Sequence, residues 1–222
     1  MKILVSILLT VSVLLSTEFS DFINKKNCDQ IIDKSVYTVC YDYHHKGSLF
    51  VGYKLDGNLV NKTNIKKRGR FYTEKNLPKK YRSHTKDYTH SGYDRGHLAS
   101  DGSFDWDEKV VRKTYSMVNV IPQSPNVNRR LWIKSEKYER LVSTQLGSVN
   151  VINGVVYDTN PKRIGKNQIS IPKGFWKMLW NDDKDFQKCF YYTNDLDVVV
   201  KGDKLKHHQI DCGKLIKWNS LV

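Results

Sequence analysis

The chain has no C-x-x-C pair, which removes the usual ligand spacing of a structural zinc site. Its four cysteines are Cys28, Cys40, Cys189 and Cys212, and none closely follows the N-terminal apolar run, which argues against a lipoprotein anchor. Beyond that run no segment is apolar enough to cross a bilayer. Internal repeats, proline-rich linkers and low-complexity tracts are also missing, so 222 residues are expected to form one domain with its own core. Acidic residues are in the minority: 23 Asp and Glu stand against 37 Lys and Arg, a formal net charge of +14. An excess of that size favours polyanions, whether nucleic acid, anionic membrane or acidic polysaccharide. No strongly amphipathic basic helix is present, which weakens the membrane and polysaccharide readings.

The apolar run itself reads as an export signal. Lys2 gives a short positive start, Ile3 to Leu15 is apolar apart from Ser and Thr, and Ser16 to Ser20 offers small residues for cleavage. We expect residues 1–20 to be a signal peptide and 21–222 a single domain, periplasmic or secreted, with no stable membrane insertion of the mature chain. Behind an export signal, an even number of cysteines suggests disulfides. Three pairings are open. Cys28–Cys40 and Cys189–Cys212 are favoured, because each is local and near a terminus.

Val36 to Tyr43 and Ser48 to Leu55 read as strands, the second closed by the turn Asp56-Gly57-Asn58. Lys62 to Arg70 is basic and loop-like, and Pro78 to Gly92 reads as a loop. Met117 to Ile121 reads as a short buried strand stopped by Pro122, with Pro125-Asn126 as a turn or cap. From Asn128 to Leu146 the period becomes helical, through Leu131, Trp132, Ser135, Tyr138, Leu141, Val142 and Gln145, with Gly147 as the stop. Ser148 to Tyr157 is β-rich, and Asn153-Gly154 within it is a hairpin signal. Phe175 to Trp180 and Phe186 to Tyr192 form a strand pair around Asn181-Asp182-Asp183. The fold class is α+β: a central antiparallel sheet flanked by helices. His44-His45 and His207-His208 have no third ligand at a fitting distance in sequence and are placed on the surface.

The most informative stretch is Tyr93-Asp94-Arg95-Gly96-His97-Leu98-Ala99-Ser100. It sets an acid, a guanidinium, a flexible glycine and an imidazole in a row. A neutral imidazole can take a proton from water near neutral pH. An arginine can clamp a phosphate with a fork of donors. Together with the positive charge they point to phosphodiester hydrolysis on a nucleic acid. Asn128 adds a hard, neutral carbonyl oxygen suited to Mg²⁺, which keeps several of its own waters. On an ideal helix Glu136 stands about 80° round from Asn128, two turns on.

Three ordered blocks resemble the DNA/RNA non-specific endonuclease family: Asp94-Arg95-Gly96-His97, then Asn119-Val120-Ile121-Pro122-Gln123, then Asn128-Arg129-Arg130-Leu131-Trp132 with Glu136. The resemblance runs from about Val36 to Tyr192. It implies a ββα-metal finger site and Mg²⁺-dependent cleavage of DNA and RNA with little sequence preference, leaving 5′-phosphate ends. Mn²⁺ is the alternative cofactor. By the same resemblance His97 is the general base, Asn128 the direct metal ligand, and Asn119 a brace. Glu136 is expected to reach a water on the metal. Asp94 is expected to orient the loop or a ring N–H. Arg95 either stabilises transition-state charge or locks the motif to the core. A phosphate-clamping arginine is expected upstream, and Arg68 and Arg70 both fit. Lys66-Lys67-Arg68 and Arg129-Arg130 are candidate backbone contacts, whereas Trp132 is expected to pack in the core. Oligomeric state and an inhibitor protein leave no signal in the sequence.

Overall fold

The computed structural model describes residues 19–219, so the expected signal segment lies almost wholly outside the described residues. The strands are β1 (Gln30–Asp33), β2 (Thr38–Asp42), β3 (Gly47–Asp56), β4 (Asp94–His97), β5 (Val120–Gln123), β6 (Ser148–Val156), β7 (Arg163–Ile164), β8 (Ile169–Ser170), β9 (Gly174–Asn181), β10 (Phe186–Thr193) and β11 (Gln209–Ile210). The α-helices are α1 (Glu108–Thr114), α2 (Ile133–Leu146) and α3 (Cys212–Asn219). Seven strands form one sheet in the order β1-β2-β3-β6-β9-β10-β11, antiparallel at every pairing. β4 and β5 make a separate antiparallel pair. The α+β class and the central antiparallel sheet are as expected.

Side chains alternate across a pleated strand, so each central strand supplies both faces of the sheet. One face carries Val51, Tyr53, Leu55, Val149, Val151, Phe175, Leu179, Phe190 and Tyr192, packed against Leu131, Trp132 and Val142 of the helical segment. We call this the site face. The back face carries Phe50, Ile152, Trp176, Met178 and Trp180, covered by Phe19, Phe22 and Ile23 from the N-terminal segment and by Leu215 of α3. Both expected disulfides are formed, Cys28–Cys40 and Cys189–Cys212, and no free cysteine remains among the described residues. Each ties a terminal segment to this back face. Burying an aromatic side chain contributes about 1.5–3 kcal/mol, so Phe22 anchors its segment strongly, and Phe19, within the span expected to be the signal, packs beside it. Phe19 makes an edge contact with Trp180, with ring centroids 5.5 Å apart. Among the described residues no helix is long and apolar enough to cross a membrane.

Five local expectations are corrected or refined. Asn153-Gly154 makes no hairpin: both residues pair within the continuous strand β6. The glycine is there for space, since a Cβ on Gly154 would stand 2.0 Å from the Trp176 ring. Pro122 does not stop a strand but lies inside β5, opposite Arg95, while Met117 to Asn119 is a 3-10 turn. A two-stranded ribbon leaves each strand an outer edge, where a missing N–H costs no ladder bond. The inward stripe of α2 is Ser135, Glu139, Val142 and Ser143, whereas Leu141 is exposed. The apolar period misses it because the inward side chains include a carboxylate. The Pro78 to Gly92 loop contains 3-10 turns at Lys79–Tyr81 and Thr85–Tyr88. His45 and His208 are packed rather than free on the surface: His45 stacks on Tyr157 and His208 on Tyr192. No sequence expectation covered β1, α1, β11 or α3.

That carboxylate has buried partners. Glu139 and Lys177 form an ion pair with both side chains fully enclosed. The hydroxyl of Tyr53 donates to Glu139 at 3.1 Å and Ser103 Oγ donates at 2.7 Å. Lys177 Nζ also lies 4.8 Å from the centroid of the Trp132 ring. A buried charge is tolerable only when it is paired and hydrogen-bonded in this way.

Candidate active site

β4 runs antiparallel to β5, which pairs Asp94 with Gln123, Arg95 with Pro122, Gly96 with Ile121 and His97 with Val120. Gly96 is buried, and a Cβ there would meet Gln123 Oε1 at 2.3 Å, so no other residue lets the strands approach this closely. After β5 the chain turns at Ser124, whose carbonyl accepts from Asn128 N at 2.9 Å. Pro125 stands at the start of the helical stretch, where its missing N–H is harmless. The next turn, Val127–Trp132, is π-helical. It widens the helix at Asn128, so the phase between Asn128 and Glu136 departs from the ideal-helix expectation. π turns inside helices recur at functional sites.

His97 is half-buried between two rings, Phe71 at 5.2 Å and Tyr115 at 5.1 Å between centroids. Its Nε2 is enclosed without a hydrogen-bond partner among the described residues. Burial pushes the imidazole below the ordinary histidine value; Asp101 opposes this and Arg68 adds to it. The ring is therefore neutral at neutral pH. Asn119 is fully buried and braces the turn after His97. Its Nδ2 donates to the carbonyls of Ala99 and Thr114, both at 2.9 Å, and its Oδ1 accepts from Ala99 N at 2.8 Å.

Asp94 accepts from Asn128 Nδ2 at 2.9 Å and from both ends of the Arg129 guanidinium, at 2.7 and 2.6 Å. Burial would raise the Asp94 carboxyl, but the bonds from Arg129 and Asn128 hold it below the usual carboxylate range. An ionised carboxylate only accepts, so it must face the NH₂ end of the Asn128 amide. The amide oxygen is thereby turned away, with no partner among the described residues. That leaves one hard, neutral oxygen for a metal. Among the described residues no group of three or more His, Cys, Asp or Glu is arranged to hold a metal ion. The donor set thus fits a cation that keeps most of its water, as Mg²⁺ does.

The arginines separate. Arg68 is paired with Asp105 at 3.1 Å and Asp101 at 3.6 Å. Arg70 is exposed and has no hydrogen bond or ion pair among the described residues. Arg95 is exposed, with its guanidinium 5.2 Å from the centre of the Phe71 ring. Arg129, expected on the substrate backbone, is paired with Asp94 and remains exposed. Glu136 is half-buried. Burial first, then Glu139, pushes its carboxyl up to about 7, against the pull of Lys177 and Arg140. Trp132 is wholly buried in the core, edge-on to Phe175 and Tyr192.

The chain's match to the family model for DNA/RNA non-specific endonucleases runs over residues 16–217. The chain belongs to that family. It is 29% identical over 160 residues to human mitochondrial Endonuclease G, covering 68% of this chain and 54% of the relative. It is 27% identical over 147 residues to a nuclease of Nostoc sp., covering 66% of this chain and 52% of that protein. The chain thus spans about half the length of these curated relatives. A crystal structure of an EndoG/EndoGI complex shares the fold, with a TM-score of 0.78 and 22% identity over 86% of this chain and 83% of that one.

Several neighbours of this endonuclease-family site were not found from sequence. Tyr115 donates to Asp101 Oδ2 at 2.6 Å and walls His97. Asp101 raises the proton affinity of both His97 and Glu136, so one carboxylate couples the two. Glu139 and Lys177 lie beneath Glu136. Phe71 directly follows the basic loop. Its aromatic character beside two arginines was the one available signal.

Proposed function

We propose that this chain is a metal-dependent endonuclease that hydrolyses phosphodiester bonds of DNA and RNA with little base preference, leaving 5′-phosphate ends. The observation that carries the reading is His97, an imidazole kept neutral by burial, on the same strand as Arg95, whose exposed guanidinium has no ion pair among the described residues. With Nε2 enclosed, Nδ1 is the ring atom left to take a proton from an attacking water. Arg70 and Arg95, without ion pairs among the described residues, bind the phosphate oxygens on which charge grows. Arg68 is held by Asp101 and Asp105, which favours Arg70 as the phosphate clamp. β4, β5 and the helix from Val127 make the ββα finger. Asn128 Oδ1 is the atom that would hold Mg²⁺ or Mn²⁺, and such an ion supplies positive charge at the departing oxygen. Asn119 keeps the turn after His97 in place, and Glu136 faces the same site as a carboxyl able to hold or release a proton near neutral pH.

Affinity comes from backbone charge, so base identity matters little. The two disulfides and the apolar leader support an exported protein, periplasmic or secreted. The solved complex of a relative concerns EndoG inhibition, so an inhibitor protein is a partner to seek. The test is purified mature protein with plasmid and with RNA, with and without Mg²⁺. Cleavage of both only with metal, lost in His97→Ala, is expected. Binding without cleavage in every condition overturns the reading.

A further inference from the structure

We propose that Arg129 is a positioning residue that sets the affinity and selectivity of the metal position, by holding the Asp94 carboxylate away from it. The proposal rests on the reading of Asn128 as the metal ligand. The geometry is a relay: the Arg129 fork engages both Asp94 oxygens, at 2.6 and 2.7 Å, and Asp94 Oδ2 engages Asn128 Nδ2 at 2.9 Å. Amide dimensions then put the Asp94 carboxylate within about 5 Å of Asn128 Oδ1. A carboxylate that close, if free, would be a second and charged ligand. Ligand charge tunes divalent-ion affinity, and Ca²⁺ takes carboxylates readily in flexible sites. With the fork in place the charge of Asp94 is offset and both its oxygens are occupied. The cation then meets one neutral oxygen and keeps its waters.

Arg129 is 66% exposed, so its own fold contribution is small. The rival role, a phosphate contact, makes the opposite prediction. A guanidinium needed on the nucleic-acid backbone affects substrate affinity and not metal affinity.

The experiment is Mn²⁺ binding to the full mature chain, followed by electron paramagnetic resonance without substrate. Arg129→Ala should bind Mn²⁺ about three- to tenfold more tightly, as expected for one unopposed charge at short range. It should also lose discrimination against Ca²⁺ in competition. Arg129→Lys keeps the charge but not the fork and should fall between. Asp94→Asn with Arg129→Ala should return to the unmutated affinity. Asn128→Ala should weaken Mn²⁺ binding in each background; if it does not, the ligand reading itself fails. If Asn128→Ala weakens binding but Arg129→Ala leaves it unchanged or weaker, the inference fails alone. A raised KM for DNA, with a salt slope reduced by about one ion and unchanged Mn²⁺ affinity, would show a phosphate contact and overturn it.

Discussion

The two faces of the seven-stranded sheet are built from the same strands yet solve different problems. The back face is apolar, and terminal segments cover it through Phe22, Ile23 and Leu215. A disulfide ties down each of those segments. The site face mixes aromatic packing with a buried ion pair, Glu139 with Lys177, and two hydroxyl donors. Covering apolar surface asks only for volume and a tether. Supporting a helix that carries Asn128 and Glu136 asks for fixed orientation, and directional polar contacts supply it.

The sharpest way to separate the faces is His97→Ala. It should lower kcat by about 10²–10⁴-fold, the range for losing a general base. The melting temperature should fall only modestly: Nε2 has no hydrogen-bond partner among the described residues to lose, and what goes is the ring's packing on Phe71 and Tyr115. In the unmutated protein the acid limb of the kcat/KM profile should lie below the ordinary histidine value, because burial keeps the ring neutral to lower pH. Single-turnover cleavage beside a melting curve checks both. A large fall in melting temperature with turnover intact would make His97 a packing residue.

Next in size is the ion pair. Glu139→Ala leaves a buried ammonium unpaired and should cost about 3–5 kcal/mol. Glu139→Leu with Lys177→Met should recover part of that, with about 1–3 kcal/mol still lost because Tyr53 and Ser103 lose their acceptor. Denaturant melts of the unmutated protein, Glu139→Ala and the double variant measure it. If the double variant is as unstable as the single one, the charges are not what the site face depends on.

Much of this contrast was legible in the sequence, and some of it was not. Strands β2, β3, β9 and β10 declare themselves by alternation or by a turn. The three motif blocks mark β4, β5 and the helix that follows because their residues act at short range in the chain. What escapes is what depends on distant partners. The Asn153-Gly154 pair carries a true local turn signal, but Trp176 fills the space and a neighbouring strand pairs each backbone. Glu139 and Lys177 are 38 positions apart, and no periodicity joins them. Arg129 reads as a backbone contact, and no local pattern shows that Asp94, 35 positions away, sits in its fork. Arg68 and Arg70 differ only in whether Asp101 and Asp105 reach them.

Removing either disulfide tests the back face. The loops closed are 12 and 23 residues, so losing each bridge should cost about 3 kcal/mol on the chain-entropy account. Turnover per folded molecule should not change, because neither bridge touches the site face. Cys189→Ala with Cys212→Ala, and Cys28→Ala with Cys40→Ala, are compared by denaturant melts and by kcat after active-site titration. A bridge whose loss cuts kcat while stability holds would tie the back face to catalysis.

The smallest effect expected is also the one that sees both layers at once. Glu136 lies on the site face above Glu139, and its carboxyl is pushed from an ordinary 4.5 up to about 7, by burial first and by Glu139 second. A raised folded value means that the native state holds the proton longer than the unfolded chain does. Between about pH 4.5 and 7 the unfolded state gains by ionising first, so stability should fall as pH rises through that window. After allowance for partial exposure the fall is about 1–2 kcal/mol. Glu136→Gln never ionises and should remove this slope while leaving the Glu139–Lys177 pair intact. Added Mg²⁺ should shrink the slope in the unmutated protein, since a nearby cation favours the carboxylate. Denaturant melts at five pH values, with and without Mg²⁺, supply the comparison. If Glu136→Gln keeps the full slope, the proton resides elsewhere, and the polar layer beneath the helix does not set the charge of the site above it.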